Sequence, residues 1–190
     1  NYNIGDALRH SAFQVVSLMT STGAASVDFT KWSYSAQILL FIVMFFGSCA
    51  SSAGGGIKMT RWLLVFKTMK NEIVKILHPN AVLNVKIDNS VVPPEVIRQV
   101  VVFVFFYFMI YAITAITVTL IEQNHTLGLT STITALGNIG PGFGTIGPME
   151  SFDFMHTSTK LILIFNMIVG RLELIPFLVM CQKDFWSIKV

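Results

Sequence analysis

Apolar residues in this chain come in blocks, separated by short interruptions that are either glycine-rich or polar. Residues 7–20 form the first block, with Ala12, Phe13, Val15, Val16, Leu18 and Met19. Crossing a bilayer takes about 20 residues, so the block predicts a short re-entrant helix. It runs into small, hydroxyl-rich residues 20–26 and then a polar connection holding Asp28 and Lys31. Residues 36–46 are again apolar, residues 47–56 read Gly-Ser-Cys-Ala-Ser-Ser-Ala-Gly-Gly-Gly, and Ile57 resumes the apolar pattern. Residues 36–69 exceed one crossing, which predicts a helix broken in the middle by a flexible loop.

Residues 100–121 are an uninterrupted apolar run after Pro93-Pro94, long enough for a transmembrane helix. A connection without Lys or Arg follows at 122–128, and then residues 129–136 are once more too short to span. These lead into Gly137-Asn138-Ile139-Gly140-Pro141-Gly142-Phe143-Gly144-Thr145, where glycine and proline forbid a continuing helix. Such bent backbone is tolerated at membrane depth only when buried in protein or lining a water-filled path. A polar return at 147–156 and an apolar block at 161–181 complete the pattern.

The unit of short helix, bent loop and long helix therefore occurs twice, with Ser21-Thr22-Gly23-Ala24 over Asn138-Ile139-Gly140-Pro141. The expected division is residues 1–75 as a pore repeat lacking its first helix, 76–98 as a cytoplasmic connection, 99–182 as a complete repeat and 183–190 as a tail. The chain begins without methionine, which fits a fragment of a longer polypeptide. The fold class predicted is an all-α integral membrane protein built of helix, re-entrant pore loop and helix.

Composition supports the membrane reading, at 53% hydrophobic and 12% charged residues against about 25% charged in soluble proteins. Charge placement orients it. Residues 58–98 hold seven basic residues against three acidic, a net of +4 that marks a cytoplasmic segment. On the opposite side Asp6, Asp28, Glu122, Glu150 and Asp153 face Arg9, Lys31 and Lys160, a net of −2 that could concentrate cations. Cys49 and Cys181 read as buried small hydrophobes. The four histidines form no ligand pattern, and no acid–base pair, activated nucleophile or nucleic-acid patch stands out, so neither an enzyme nor a bound cofactor is expected.

Carbonyls exposed by glycine can replace the hydration shell of a monovalent cation, which makes Ser21, Thr22, Gly23 and Ala24 with Asn138, Ile139, Gly140 and Pro141 the candidate selectivity filter. The alternative is a pair of helix-breaking turns. Ala50, Ser51, Ser52, Ala53, Gly54, Gly55 and Gly56 are the candidate gate, with close packing of small residues as the alternative. Gly54-Gly55-Gly56-Ile57-Lys58 lacks the spacing of a phosphate loop. Arg171 and Glu173 are charges inside an apolar helix and thus functional candidates; Arg171 is assigned to the permeation path as an electrostatic barrier. Basic residues after Gly56 suit anionic lipid or a cytosolic partner.

Thr20-Ser21-Thr22-Gly23, the run from Ala50 to Lys58, Asn138-Ile139-Gly140-Pro141-Gly142-Phe143-Gly144 and Gly170-Arg171-Leu172-Glu173 together resemble the Trk/Ktr/HKT superfamily of potassium transporters, within it the bacterial TrkH-type subunit. The resemblance implies the C-terminal half of a subunit with four repeats around one pore in the cytoplasmic (inner) membrane, taking up potassium. It also implies Gly23 and Gly140 as filter glycines, residues 47–56 as the intramembrane gate and Arg171 as the arginine beneath the filter. The implied partners are the remaining repeats, a second copy in a homodimer and a cytosolic nucleotide-binding regulatory subunit. Ala24, and Ser51-Ser52-Ala53 in place of Gly-Ser-Thr, depart from the family pattern. The alternatives are a helical scaffold or regulatory subunit that only packs, or a less selective potassium/sodium transporter of the same family.

Overall fold

The computed structural model describes residues 3–172 apart from 51, 53, 80, 82 and 89. Six α-helices follow one another among them: α1 (Ile4–Met19), α2 (Tyr34–Val43), α3 (Met59–Leu77), α4 (Pro94–Glu122), α5 (His125–Gly137) and α6 (Thr157–Arg171). Single 3-10 turns at Phe29–Lys31 and Gly144–Ile146 punctuate the loops after α1 and α5.

Among the described residues α4 alone is long and apolar enough to cross a membrane, its 29 residues giving about 43 Å of helix. It begins at Pro94, earlier than the apolar run predicts, because proline lacks only an N–H that the first turn leaves unbonded anyway. Gln123 in the left-handed region ends it, and Asn124 starts α5 at once by accepting from the Leu127 N–H at 3.1 Å. The chain reverses within two residues, and α5 packs back along α4. At the contact Gly128 lies against the Thr119 hydroxyl and the Ala115 carbonyl, so close that a methyl group there would collide with both. Small residues let helix backbones approach in this way in membranes.

The helix predicted across residues 36–69 is broken as expected, into α2 and α3. The intervening loop is closed at its base. Phe46 and Ile57 form a parallel bridge, the Gly47 N–H donates to the Ile57 carbonyl at 2.9 Å, and the Met59 N–H donates to the Ser48 carbonyl at 3.2 Å. Trp62 spans the break by donating its indole N–H to the Phe45 carbonyl at 3.1 Å, satisfying an acceptor at the frayed end of α2.

One apolar core unites the two halves, drawing Leu18 from α1, Leu40 from α2, Phe103 and Tyr107 from α4, Ile133 from α5 and Val169 from α6. Phe143, within the glycine-rich run, packs edge-on against Phe29 at 5.3 Å, tying the loop after α5 to the loop after α1.

Two features differ from the sequence expectation. A short antiparallel hairpin, β1 (Lys86–Ile87) and β2 (Ser90–Val91), interrupts the otherwise helical chain between α3 and α4. Cys49 is exposed, not buried, because it falls beyond the end of α2 and has no helix face to pack. Glu173, Cys181 and the tail at 183–190 lie outside the described residues, as does the later part of the block at 161–181.

Candidate ion pathway

Helices α1 and α5 end in the same way. After α1, Ser21 is left-handed at φ 56°, its N–H donates to the Leu18 carbonyl at 3.3 Å and the Thr22 N–H donates to Ser17 at 3.0 Å. After α5, Asn138 is left-handed at φ 52°, its N–H donates to Ala135 at 3.1 Å and the Ile139 N–H donates to Thr134 at 2.9 Å. Each pair of bonds is a Schellman motif, which satisfies carbonyls that the helix end would leave open. Two residues later in each case a glycine takes positive φ, Gly23 at 72° and Gly140 at 110°. Ser21 and Asn138, Gly23 and Gly140, and all their partners are separated by 117 positions. The left-handed positions and bonds at the two helix ends thus share one offset along the chain.

The two ends meet. The Ser21 hydroxyl donates to the Gly137 carbonyl at 3.1 Å, and the Cα of Gly23 faces the Ile139 carbonyl and the Pro141 ring with no room for a side chain. Gly140 differs, since a Cβ there would meet nothing within 4 Å. Both helix C-termini point their partial negative charge toward this junction, which favours a cation.

Gly54, Gly55 and Gly56 of the 47–56 loop lie against the same junction. A Cβ on Gly55 would strike the Gly137 carbonyl, and one on Gly54 would strike the Ser48 hydroxyl and lie 3.5 Å from those of Ser21 and Ser52. Gly56, at φ 77°, sits beside Gly137 and the hydroxyl of Tyr107. Tyr107 is 2% exposed, and its hydroxyl has no hydrogen-bond partner among the described residues; neither do those of Ser48 and Ser52.

A polar cavity of about 250 Å³ opens here, lined by Ser52, Gly54, Gly56, Lys58, Arg61 and Arg171. The Arg61 guanidinium stands 3.9 Å over the Phe103 ring on its wall. Arg171 reaches the cavity because α6 is held tightly to the end of α5. Gly170 rests on the Leu136 carbonyl without space for a methyl group, and the Asn138 side-chain amide donates to the Met167 carbonyl at 3.1 Å.

The structure therefore brings Ser21 and Gly23 together with Ile139 and Pro141, and Gly54, Gly55 and Gly56 together with Gly137 and Arg171. Ala24 accepts a hydrogen bond from the Ser17 hydroxyl at 2.6 Å, and the Thr22 hydroxyl pairs with that of Thr20 at 2.8 Å. Ala50 is exposed at the loop's outer turn, while Ser51 and Ala53 lie outside the described residues. Sequence reasoning missed Ser17, Gly137, Tyr107 and the side-chain role of Asn138. A polar residue at the left-handed position after each short helix was the available signal for the last.

At the opposite end of the short helices, Asp28 caps the 3-10 turn at Phe29–Lys31. The Thr30 hydroxyl, bonded to it at 2.5 Å, holds its carboxyl below the usual range despite partial burial, helped by the Thr30 N–H and Lys31.

The family model for TrkH, a cation transport protein, matches residues 1–188. The chain belongs to the TrkH family. Among curated TrkH-family relatives, the Trk system potassium uptake protein TrkH of Salmonella typhimurium is 33% identical over 189 residues, covering 97% of this chain and 39% of the relative. The Trk system potassium uptake protein TrkG of Escherichia coli is 30% identical over 185 residues, covering 97% and 38%. The crystal structure of the potassium transporter TrkH from Vibrio parahaemolyticus superposes with a TM-score of 0.89 at 29% identity, over 98% of this chain and 40% of that one. The chain thus spans about two fifths of the length of the TrkH-family proteins it matches.

Proposed function

We propose that this chain supplies two of the four walls of a potassium-uptake pore in the cytoplasmic membrane. The observation that carries the reading is the repeated helix end, in which Ser21 to Ala24 and Asn138 to Pro141 share their left-handed positions and Schellman bonds and lie against each other. Left-handed residues separated by one that is not can keep successive carbonyls turned to one side, as a line of cation ligands requires. The potassium ion is the substrate, moved without covalent chemistry, and no resident cofactor is needed. The names of the relatives, all Trk system potassium uptake proteins, support potassium as the ion.

Residues 1–75 form the third repeat without its first helix, 76–98 the cytoplasmic connection, 99–182 the fourth repeat and 183–190 a cytoplasmic tail. Residues 50–56 are the gate, supported by the contact of Gly55 and Gly56 with Gly137, and Arg171 places its charge in the path below. The remaining repeats of the parent polypeptide complete the pore. The parent works as a homodimer, and a cytosolic nucleotide-binding regulatory subunit or anionic lipid contacts the basic cytoplasmic face of residues 58–98.

The test is rubidium or potassium uptake by the full-length parent in cells lacking their own uptake systems, with and without Gly140→Ser. Gly140 has open space around it but a φ that side-chain-bearing residues rarely adopt, so the substitution distorts the filter backbone while leaving its packing intact. Uptake that loses its discrimination against sodium supports the filter. Absent uptake from a correctly inserted wild-type protein supplied with its regulatory partner favours a scaffold.

A further inference from the structure

Asn138 does two things at once. Its backbone is the left-handed residue that ends α5 and opens the second candidate filter segment. Its side chain leaves that segment altogether and reaches α6, where the amide bonds the Met167 carbonyl at 3.1 Å. The partner is a carbonyl oxygen, so the group pointing at it must be the amide nitrogen. Met167 lies one helical turn before Arg171, on the same face. Gly170, between them, has the Asn138 amide nitrogen 3.2 Å from where its Cβ would stand and the Leu136 carbonyl closer still. The last turn of α6 is thus seated on the end of α5 by one directional bond and one side-chain-free contact. Arg171 leaves that turn into the cavity lined by Gly54 and Gly56.

We infer that Asn138 is a positioning residue: through the Met167 carbonyl it fixes where Arg171 stands relative to the filter and the loop, so that filter and barrier move as one body. The inference rests on the filter and gate reading above. It concerns the asparagine side chain, whereas the filter reading concerns the backbone, and glycine separates the two because it keeps the left-handed conformation while removing the amide.

The experiment measures rubidium uptake against concentration, with sodium competition, for the full-length parent carrying Asn138→Gly, Arg171→Gln or both. Asn138→Gly raises the maximal rate about three- to tenfold, the size expected for losing one hydrogen bond that holds a charge in place. In the Arg171→Gln background the same substitution changes the rate by less than about twofold, because the group it positions is gone. An unchanged or lowered rate in the single variant, or an equal change in both backgrounds, overturns the inference. Failure of the filter reading itself registers separately, as intact sodium discrimination in Gly140→Ser.

Discussion

The Cα of Gly23 faces the carbonyl oxygen of Ile139 so closely that a single methyl group cannot fit between them. Residues from opposite halves of the chain are in backbone contact there. The equivalent Gly140 has the positive φ without the contact. Gly23→Ala therefore adds a collision to backbone strain of about 1–2 kcal/mol, while Gly140→Ala adds strain alone. In rubidium uptake with sodium competition both lose discrimination. In thermal unfolding of the purified full-length protein Gly23→Ala lowers Tm clearly more than Gly140→Ala; equal Tm losses contradict the contact.

Gly55→Ala tests the loop by the same logic. The new methyl group meets the Gly137 carbonyl, a backbone atom that cannot swing aside, so the loop must withdraw. Uptake is expected to rise several-fold, as it should on deleting part of residues 50–56. Normal expression with unchanged flux counts against a gate.

Glu122 provides a test of stability far from the pathway. From the end of α4 its carboxylate accepts from the His156 N–H at 2.9 Å and the Thr159 hydroxyl at 2.6 Å, capping the start of α6 from 34 positions away. Glu122→Ala leaves those donors open and is expected to cost about 1–3 kcal/mol. His156→Ala removes only an imidazole that is 68% exposed and is expected to cost under about 1 kcal/mol. Chemical or thermal unfolding of the two variants in detergent decides.

Asp28 gives a pH dependence. Its carboxyl titrates below the ordinary value of 3.8 when folded, so its stabilising contribution is complete above that value and disappears as pH falls through the lowered one. Asp28→Asn removes this component. The Tm difference between wild type and variant should shrink on acidification below about pH 4, and a difference independent of pH refutes the assignment.

Much of this was legible in the chain because glycine density is a direct statement about backbone. The described residues of 47–56 and residues 138–143 could not be helix, and they are not. The short helices were legible because apolar blocks of their length cannot cross a bilayer. Hidden were the relations that depend on which atoms meet. Nothing local says that Ser21 will bond Gly137, that Trp62 will bridge the break to Phe45, or that Tyr107 will end beneath Gly56. Glu122 gave no sign of capping a helix so far along the chain, since a carboxylate after an apolar run reads equally as a solvated end. Cys49 misled because hydropathy carries no information about where a helix stops, and α2 stops before it.

The closed base of the loop has a mechanical consequence. Because Gly47 is bonded to Ile57 and Ser48 to Met59, a pull on α3 is carried across the base straight into α2. Gly54, Gly55 and Gly56 lie beyond that base, like the bow of a knot whose ends are drawn tight. A force arriving along α3 therefore shifts these glycines relative to Gly137 without opening the base, and they can return to their seat when the force is removed.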